Sequence, residues 1–361
     1  MTTSTKHILV TGGSGFIGSH LVEQLLLQGA RVVVVDDLST GDIQNLSDAK
    51  YAAGERLQFI PNTVTHAFST LNLERFDEIY HLAAAVGVRL IVDHARQSIE
   101  TNILETSAAI RWAIRDHAKL LIASSSEVYG KGIRIPFSES DDVVFGPTTS
   151  SRWSYGYSKA LDEFLTLAAV SESKLQAVIV RFFNTVGPRQ KGDWGMVLPR
   201  FIQAALAGKS LEVHGDGSQK RCFCDVRDIA PALIQLLRST TCLGQIFNMG
   251  SDELISMREL AERVIRVTAS VSSIQNVPHE KVFGRALKIF RFGSQDLNAF
   301  VEPLDSPHLF LLTQQLPISL DLWVAHIKRN MQHDSGSTCQ SGSEPGANGL
   351  RCFNMDSVEP N

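Results

Sequence analysis

Short apolar runs alternate with helical patterns over the first half of the chain. His7–Thr11 (HILVT) is apolar, Gly12–Gly18 (GGSGFIG) is a turn, and Ser19–Gln28 carries Leu21, Val22, Leu25 and Leu26 at helical spacing. Gly29 closes that helix, and Arg31–Val35 (RVVVV) follows as an unbroken apolar run ending at Asp36-Asp37. Strands that lack apolar–polar alternation are those covered on both faces, so the pattern predicts a βαβ unit in a parallel sheet. Further strands are predicted at Leu57–Ile60, Glu78–Leu82, Leu120–Ala123 and Ala177–Val180, with helices over 93–116 and 158–170. The predicted fold class is α/β, a doubly wound parallel sheet occupying residues 1–189.

After Gly187 the segments shorten and Pro and Gly become frequent, as at Pro188, Gly192, Gly195, Pro199, Gly208, Gly215 and Gly217. This predicts a smaller substrate-binding lobe over 190–330, with a strand near 245–248 returning to the main sheet. Residues 331–361 are rich in Ser, Gly, Asn and Pro and read as a disordered tail. The whole chain has 361 residues, 43% of them apolar, enough for a sizeable core. Its net charge of −4 argues against a nucleic-acid or polybasic membrane surface. No stretch approaches the roughly 18 consecutive apolar residues of a membrane span, and Met1–Lys6 lacks a signal-peptide core, so a cytoplasmic protein is expected. Cys222, Cys224, Cys242, Cys339 and Cys352 form no CxxC pair and no zinc spacing, which predicts a reducing compartment and no metal.

Gly12, Gly15 and Gly18 lie between a predicted strand and a predicted helix. Glycines there let backbone N–H groups approach a pyrophosphate, and the helix end adds positive potential; this is the Rossmann dinucleotide turn. Asp36 ends the second strand, where a carboxylate accepts from the adenosine ribose hydroxyls and repels a 2′-phosphate, so NAD is expected rather than NADP. Asp37, Ser39 and Thr40 are candidates for lining the adenosine pocket.

Tyr155 and Lys159 are four residues apart on a predicted helix and share a face. An ammonium beside a phenol favours the phenolate, so such a tyrosine can exchange a proton near neutral pH. Ser124-Ser125-Ser126 follows the fifth strand, at the carboxyl edge where ligands of such sheets sit.

Taken in order, the motifs VTGGSGFIGSHL (10–21), VVVDDLSTG (33–41), YHLAA (80–84), ASSSEVYG (123–130), YGYSK (155–159), RFFNTVGPRQ (181–190) and HGDGSQKRCFCDVRD (214–228) resemble the extended short-chain dehydrogenase/reductases of the nucleotide-sugar epimerase/dehydratase group. The resemblance spans about residues 6–283. It implies that Phe16, Ile17, Leu82, Ala83, Ala84 and Asn102 join the glycines, Asp36, Tyr155 and Lys159 around NAD. It implies that Tyr155 takes the sugar 4-hydroxyl proton while the C4 hydride leaves, that Ser125 bonds the same oxygen, and that Lys159 holds the nicotinamide ribose. Asn184 and Arg221 would contact the nucleotide sugar, Arg221 at the diphosphate. A UDP-linked substrate and a homodimer paired through the 93–116 and 158–170 helices are also implied.

The fate of the 4-ketone stays open at this level. Dehydratases of the group carry an Asp-Glu pair after the Ser/Thr, and this chain has Ser126-Glu127, which demotes dehydration. Glu127, SRWSYGYSK (151–159) and KRCFCDVRD (220–228) resemble UDP-glucuronate decarboxylases. A 4-epimerase needs only Tyr155, Ser125, NAD and room for the ketone to turn. The sequence reading places a UDP-sugar 4-epimerase first, a UDP-glucuronate decarboxylase second and a catalytically impaired NAD-binding protein third. A simple ketone reductase that releases its cofactor is disfavoured by Arg221 and Asp36.

Two departures from the family pattern stand out. Pro61-Asn62-Thr63 replaces the Gly-Asp that ends the third strand, predicting weaker adenine contacts. Beyond Phe283 the family shows Gly-x-x-Phe-Glu-Asp-x-x-x-Arg-x-Pro, whereas Gly284–Gly293 reads GRALKIFRFG. One choice of codons for Arg285–Gly293, read one base earlier, spells Glu-Gly-Phe-Glu-Asp-Ile-Ser-Val-Arg. The hypothesis is a reading-frame shift near Gly284, with family-like sequence returning at Pro317–Leu322; gene codons that forbid the alternative reading would sink it. Phe290, Phe300, Leu309, Phe310 and Leu311 would then carry an aggregation risk.

Overall fold

The computed structural model describes residues 5–86, 94–132, 134, 136–192, 196–278 and Val324. Readings made on residues 279–361, the altered segment after Gly284 and the tail among them, lie outside the described residues except at Val324.

The strands of the main sheet are β1 (His7–Thr11), β2 (Arg31–Asp36), β3 (Leu57–Pro61), β4 (Glu78–His81), β5 (Lys119–Ser125) and β6 (Ala177–Phe182). Short strands follow: β7 (Thr185–Val186), β8 (Leu211–His214), β9 (Lys220–Cys222), β10 (Cys224–Asp225), β11 (Ile246–Met249), β12 (Leu254–Ser256) and β13 (Ile274–Val277). The seven-stranded sheet runs β11-β6-β5-β4-β1-β2-β3, parallel throughout. The chain leaves β1 for β2 on one side and later returns to β4 on the other, so the crevice between β1 and β4 is the switch point.

The helices are α1 (Phe16–Leu27), α2 (Ser47–Ala53), α3 (Val64–Thr70), α4 (Ala95–Asp116), α5 (Ser154–Ser173), α6 (Val197–Leu206), α7 (Val226–Arg238) and α8 (Met257–Thr268). Each apolar strand serves two cores, because successive side chains point to opposite faces. Ile8, Val10, Val32 and Val34 pack with Leu21, Leu25, Leu233 and Leu237 from α1 and α7. Leu9, Val33, Val35 and Ile79 pack on the other face with Ala109, Trp112 and Ala113 of α4. The doubly wound sheet read from the sequence is the one observed.

β7, β8, β12 and β13 form a separate apolar cluster with α6 and α8. Leu198, Phe201 and Ile202 meet Leu260, Ala261 and Val264, with Leu211, Val213 and Val324 beside them. β8 pairs with β13 and β9 with β12, which brings Arg221 opposite Ile255.

Two local differences from the sequence reading place the chemistry. β5 extends through Ser124 to Ser125. α5 begins at Ser154, four residues earlier than the periodicity indicated, after a 3-10 turn over Ser151–Trp153. The buried Trp153 ring anchors that turn beside Phe145, so the polar Ser154 and Tyr155 are drawn into the helix by tertiary packing.

Candidate active site

The glycine turn sits at the carboxyl end of β1, directly against the end of β4. Gly12 has φ +69°, and a Cβ there would stand 2.7 Å from Ala83 N. A Cβ on Gly18 would come within 2.1 Å of the Gly12 carbonyl oxygen. Neither position accepts a side chain without moving backbone. A Cβ on Gly15, by contrast, would meet only Gly12 O, at 3.1 Å. Gly15 caps α1 with no side-chain bond, and the first turn, opening with Phe16 and Ile17, carries no acid. The positive helix end therefore has no competing carboxylate of its own. These features fit a dinucleotide diphosphate.

Asp36 is buried at the end of β2. Its Oδ2 accepts from Ser14 N at 3.0 Å and its Oδ1 from Leu38 N at 2.9 Å. The carboxylate thus ties the glycine turn to the loop that follows β2, and each oxygen keeps a lone pair for a ribose hydroxyl. Asp37 lies on the exposed side and accepts from Ser39 N at 2.9 Å; Thr40 is half-buried nearby. Pro61-Asn62-Thr63 does local work instead of the family's acid. Asn62 N donates to Asp36 O, and Thr63 Oγ1 caps α3 by accepting from His66 N.

Leu82, Ala83 and Ala84 leave β4 across the turn from Gly12. Leu82 N donates to Thr11 O at 3.1 Å, and Ala83 N to Thr11 Oγ1 at 3.3 Å. Asn102, buried on α4, accepts from Ala85 N at 2.8 Å and donates through Nδ2 to Ser158 Oγ at 3.0 Å. Both ends of its amide are engaged by protein, so it ties the loop after β4 to the helix that carries Lys159. A buried chain of Thr11, His81 and Thr106 lies beneath: His81 Nδ1 is 2.8 Å from Thr11 Oγ1 and Nε2 is 3.1 Å from Thr106 Oγ1. Burial, helped by the Lys159 charge, holds the His81 pKa down to about 3, so its ring is neutral.

The third group stands where β5 meets α5. Ser125 ends β5, accepts from Glu127 N at 3.2 Å and hydrogen-bonds Tyr155. Burial raises the Tyr155 pKa. Lys159 and the Ser125 bond pull it down, while Glu127 and Asp162 push it up, and the balance is above the ordinary tyrosine value. The phenolate-favouring effect expected of Lys159 is therefore present but outweighed by burial. Burial alone would lower the Lys159 pKa, but the Asp162 and Tyr155 charges and the Asp162 hydrogen bond reverse this and raise it. Lys159 Nζ donates to Asp162 Oδ2 at 3.0 Å, both side chains being essentially inaccessible to water.

Glu127 faces Arg152, with Arg152 Nη2 4.0 Å from Glu127 Oε2. Arg221, half-buried on β9, feels the Glu127 and Arg152 charges and donates through Nη1 to Lys220 O at 2.8 Å. Asn184 Nδ2 donates to Cys222 O at 3.0 Å, which fastens β9 beside this corner. Tyr155, Lys159, Ser125, Glu127 and Arg221 are thus brought to one corner, with Asn184 supporting the strand that carries Arg221. The exposed Asp37 and Ser39 stay in the loop after β2, beside Asp36 rather than at this corner.

Sequence reasoning passed over Arg152, three residues before Tyr155, and Asp162, three after Lys159. Asp162 lies one turn along α5 from Lys159 and Arg152 in the turn that leads into it, and that spacing was the available signal. It also passed over Glu163, which binds Arg181 Nε and Nη2 at 2.9 and 2.7 Å and accepts from Ser124 Oγ at 2.5 Å. That cluster locks β5 and β6 to α5.

Among the described residues no group of three metal-ligating side chains occurs, and no helix is long and apolar enough to cross a membrane. Residues 8–250 match the model of the NAD dependent epimerase/dehydratase family. A UDP-N-acetyl-alpha-D-glucosaminuronate decarboxylase of Bacillus cytotoxicus is 40% identical over 280 residues, covering 77% of this chain and 85% of the relative. UDP-glucuronic acid decarboxylase 1 of Danio rerio is 34% identical over 273 residues, covering 76% of this chain and 63% of the relative. A crystal structure of Thermus thermophilus UDP-glucose 4-epimerase in complex with NAD has a TM-score of 0.68 at 27% identity, covering 89% of this chain and 99% of that one.

Proposed function

From the premise that this chain belongs to the NAD-dependent epimerase/dehydratase family and uses NAD, we propose that it decarboxylates a UDP-linked uronic acid. The observation that carries the reading is the pair Arg152 and Arg221 flanking Glu127 beside Tyr155. Two guanidiniums suit a substrate with a carboxylate at sugar C6 as well as a diphosphate. The 40% identical relative, named for decarboxylation of such a sugar, supports the same reading.

NAD, which the glycine turn and Asp36 would hold, would supply the hydride acceptor for sugar C4 and the hydride source for its re-reduction. Tyr155 Oη, bonded to Ser125, takes the proton of the 4-hydroxyl as the 4-ketone forms. Lys159 keeps positive charge behind the phenolate. With a ketone at C4 and a carboxylate at C6, the C5–C6 bond breaks, carbon dioxide leaves and the electron pair passes to the C4 oxygen. Arg152 holds the carboxylate until that bond breaks while Arg221 holds the diphosphate, and Glu127 relays a proton from solvent to C5. Tyr155 then gives its proton back to the C4 oxygen as C4 is reduced again, and the net proton consumed comes from solvent, so the enzyme ends as it began.

The 4-epimerase favoured by sequence alone is the second reading. It is supported by the likeness to a solved 4-epimerase and by a Tyr155–Ser125 pair that needs no further acid. The test is incubation of the purified protein and NAD with UDP-glucuronate, UDP-N-acetylglucosaminuronate and UDP-glucose, followed by NMR and mass spectrometry. Loss of carbon dioxide from either uronate is the expected result. A C4 epimer of unchanged mass overturns it in favour of the second reading.

The outward face of α4 and α5 exposes Leu104, Leu161, Phe164 and Leu165. That apolar face supports a homodimer paired through these helices. The expected elution is that of a dimer in size-exclusion chromatography, lost in Phe164→Glu.

A further inference from the structure

We propose that Asp162 is a positioning residue that sets the proton affinity of the Tyr155–Lys159 pair; this rests on reading those two as the proton-transfer groups. The Lys159 side chain is 2% exposed and that of Asp162 is 0%, and their ion pair is 3.0 Å long. An ammonium with no water around it stays charged only beside an opposite charge. Asp162 Oδ2 supplies that charge and fixes where Nζ stands. Besides Lys159 the carboxylate is hydrogen-bonded by the neutral Thr106 hydroxyl, so Lys159 is its one cationic partner among the described residues.

The neighbouring charges leave this task to Asp162. Glu163, next on the helix, is matched by Arg181 through two short bonds and by Ser124. Glu127, from the segment after β5, faces Arg152. His81, on β4, is neutral. Thr106, the α4 side chain that meets His81 and hydrogen-bonds the Asp162 carboxylate, does not titrate. Asp162 is therefore the anion in contact with Lys159, and it also acts on Tyr155.

The consequence follows from the sign of the charge. Tyr155 and Lys159 titrate as a coupled pair, so their two proton losses belong to the pair. A fixed negative charge beside the pair raises both proton affinities. Asp162 thus makes Tyr155 a stronger base once it is ionised, and it keeps Lys159 an ammonium while Tyr155 works. Without that anion both losses move to lower pH.

The test needs no sugar. The chain has five tyrosines, so the tyrosinate absorbance of the NAD-loaded protein, minus that of Tyr155→Phe, isolates one ionisation. In Asp162→Asn the midpoint of that difference titration should fall by about one pH unit, a roughly tenfold stronger acid. Asp162→Glu, which keeps the charge, should hold the wild-type midpoint to within a few tenths of a unit. If Asn does not fold, Asp162→Ser makes room for water and should show the same fall. An unmoved midpoint in a folded, NAD-retaining Asn or Ser variant overturns the proposal, as does a rise. A side chain with a purely structural role would lower NAD content or melting temperature and leave the midpoint in place. If Tyr155→Phe abolishes turnover while Asp162→Asn leaves the midpoint unmoved, this proposal fails and the reading of Tyr155 survives.

Discussion

The glycine turn and the corner between β5 and α5 stand at the same edge of one sheet, yet they are built by opposite means. The turn works through missing side chains. Gly12 and Gly18 lie where a Cβ would collide with Ala83 and Gly12 backbone, and Gly15 leaves the helix end open. The corner works through charges held close together: Lys159 on Asp162, Glu127 facing Arg152, and Tyr155 among them. The turn fails when an atom is added. The corner fails when a charge is removed, even if its shape is preserved.

The largest effect expected from breaking this contrast is at Tyr155. Tyr155→Phe removes one oxygen and should cut turnover by about 10²–10⁴-fold while NAD stays bound, checked by steady-state rates and cofactor released on denaturation. Gly18→Val should do the reverse: cofactor is lost in the purified protein and stability falls by about 1–3 kcal/mol, read from denaturant unfolding. A Gly18→Val protein that keeps full NAD content would show that the turn is looser than its geometry.

Next comes Glu127. Glu127→Gln preserves shape and removes charge, so turnover of a uronate should fall about tenfold or more with little change in NAD content. Equal turnover in the two proteins would place Glu127 outside the chemistry.

A smaller effect concerns His81, which lies beneath both regions. Its folded pKa of about 3 is below the unfolded value of 6.5, so the unfolded chain binds the extra proton first. Stability should therefore be full above pH 6.5 and fall as pH drops from there toward 3, by about 1 kcal/mol per pH unit from this group. Melting curves of the wild type and His81→Gln across that window check it, the variant having the flatter profile.

The smallest effect is at Asp36. Asp36→Ser should relax the preference for NAD over NADP by about tenfold in the ratio of dissociation constants. Part of any loss of affinity for both cofactors would come from freeing Ser14 N and Leu38 N. Comparing the ratio rather than either affinity separates the two.

Much of this molecule could be read from residues alone. Unbroken runs such as RVVVV give a sheet covered on both faces, because polar atoms would be stranded on either side. The Gly12-x-x-Gly15-x-x-Gly18 spacing between strand and helix gives the dinucleotide turn for a steric reason that is wholly local. Tyr155 and Lys159 share a helix face because of the helical period. Composition and motif order reach as far as the family.

Other features depend on segments far apart in the chain. Arg152 and Glu127 are joined by the way a turn after β5 meets the start of α5, and Arg221 arrives from β9, which pairs with β12. Asp162 sits only three residues from Lys159, yet whether it would point to water or to the ammonium was settled by packing. The sign of the Tyr155 shift was likewise decided by burial, which outweighs the nearby lysine. Short-range sterics and periodicity are properties of neighbouring residues, so the sequence determines them. Desolvation and the distances between distant charges exist only once the chain has folded, so the tertiary structure decided them.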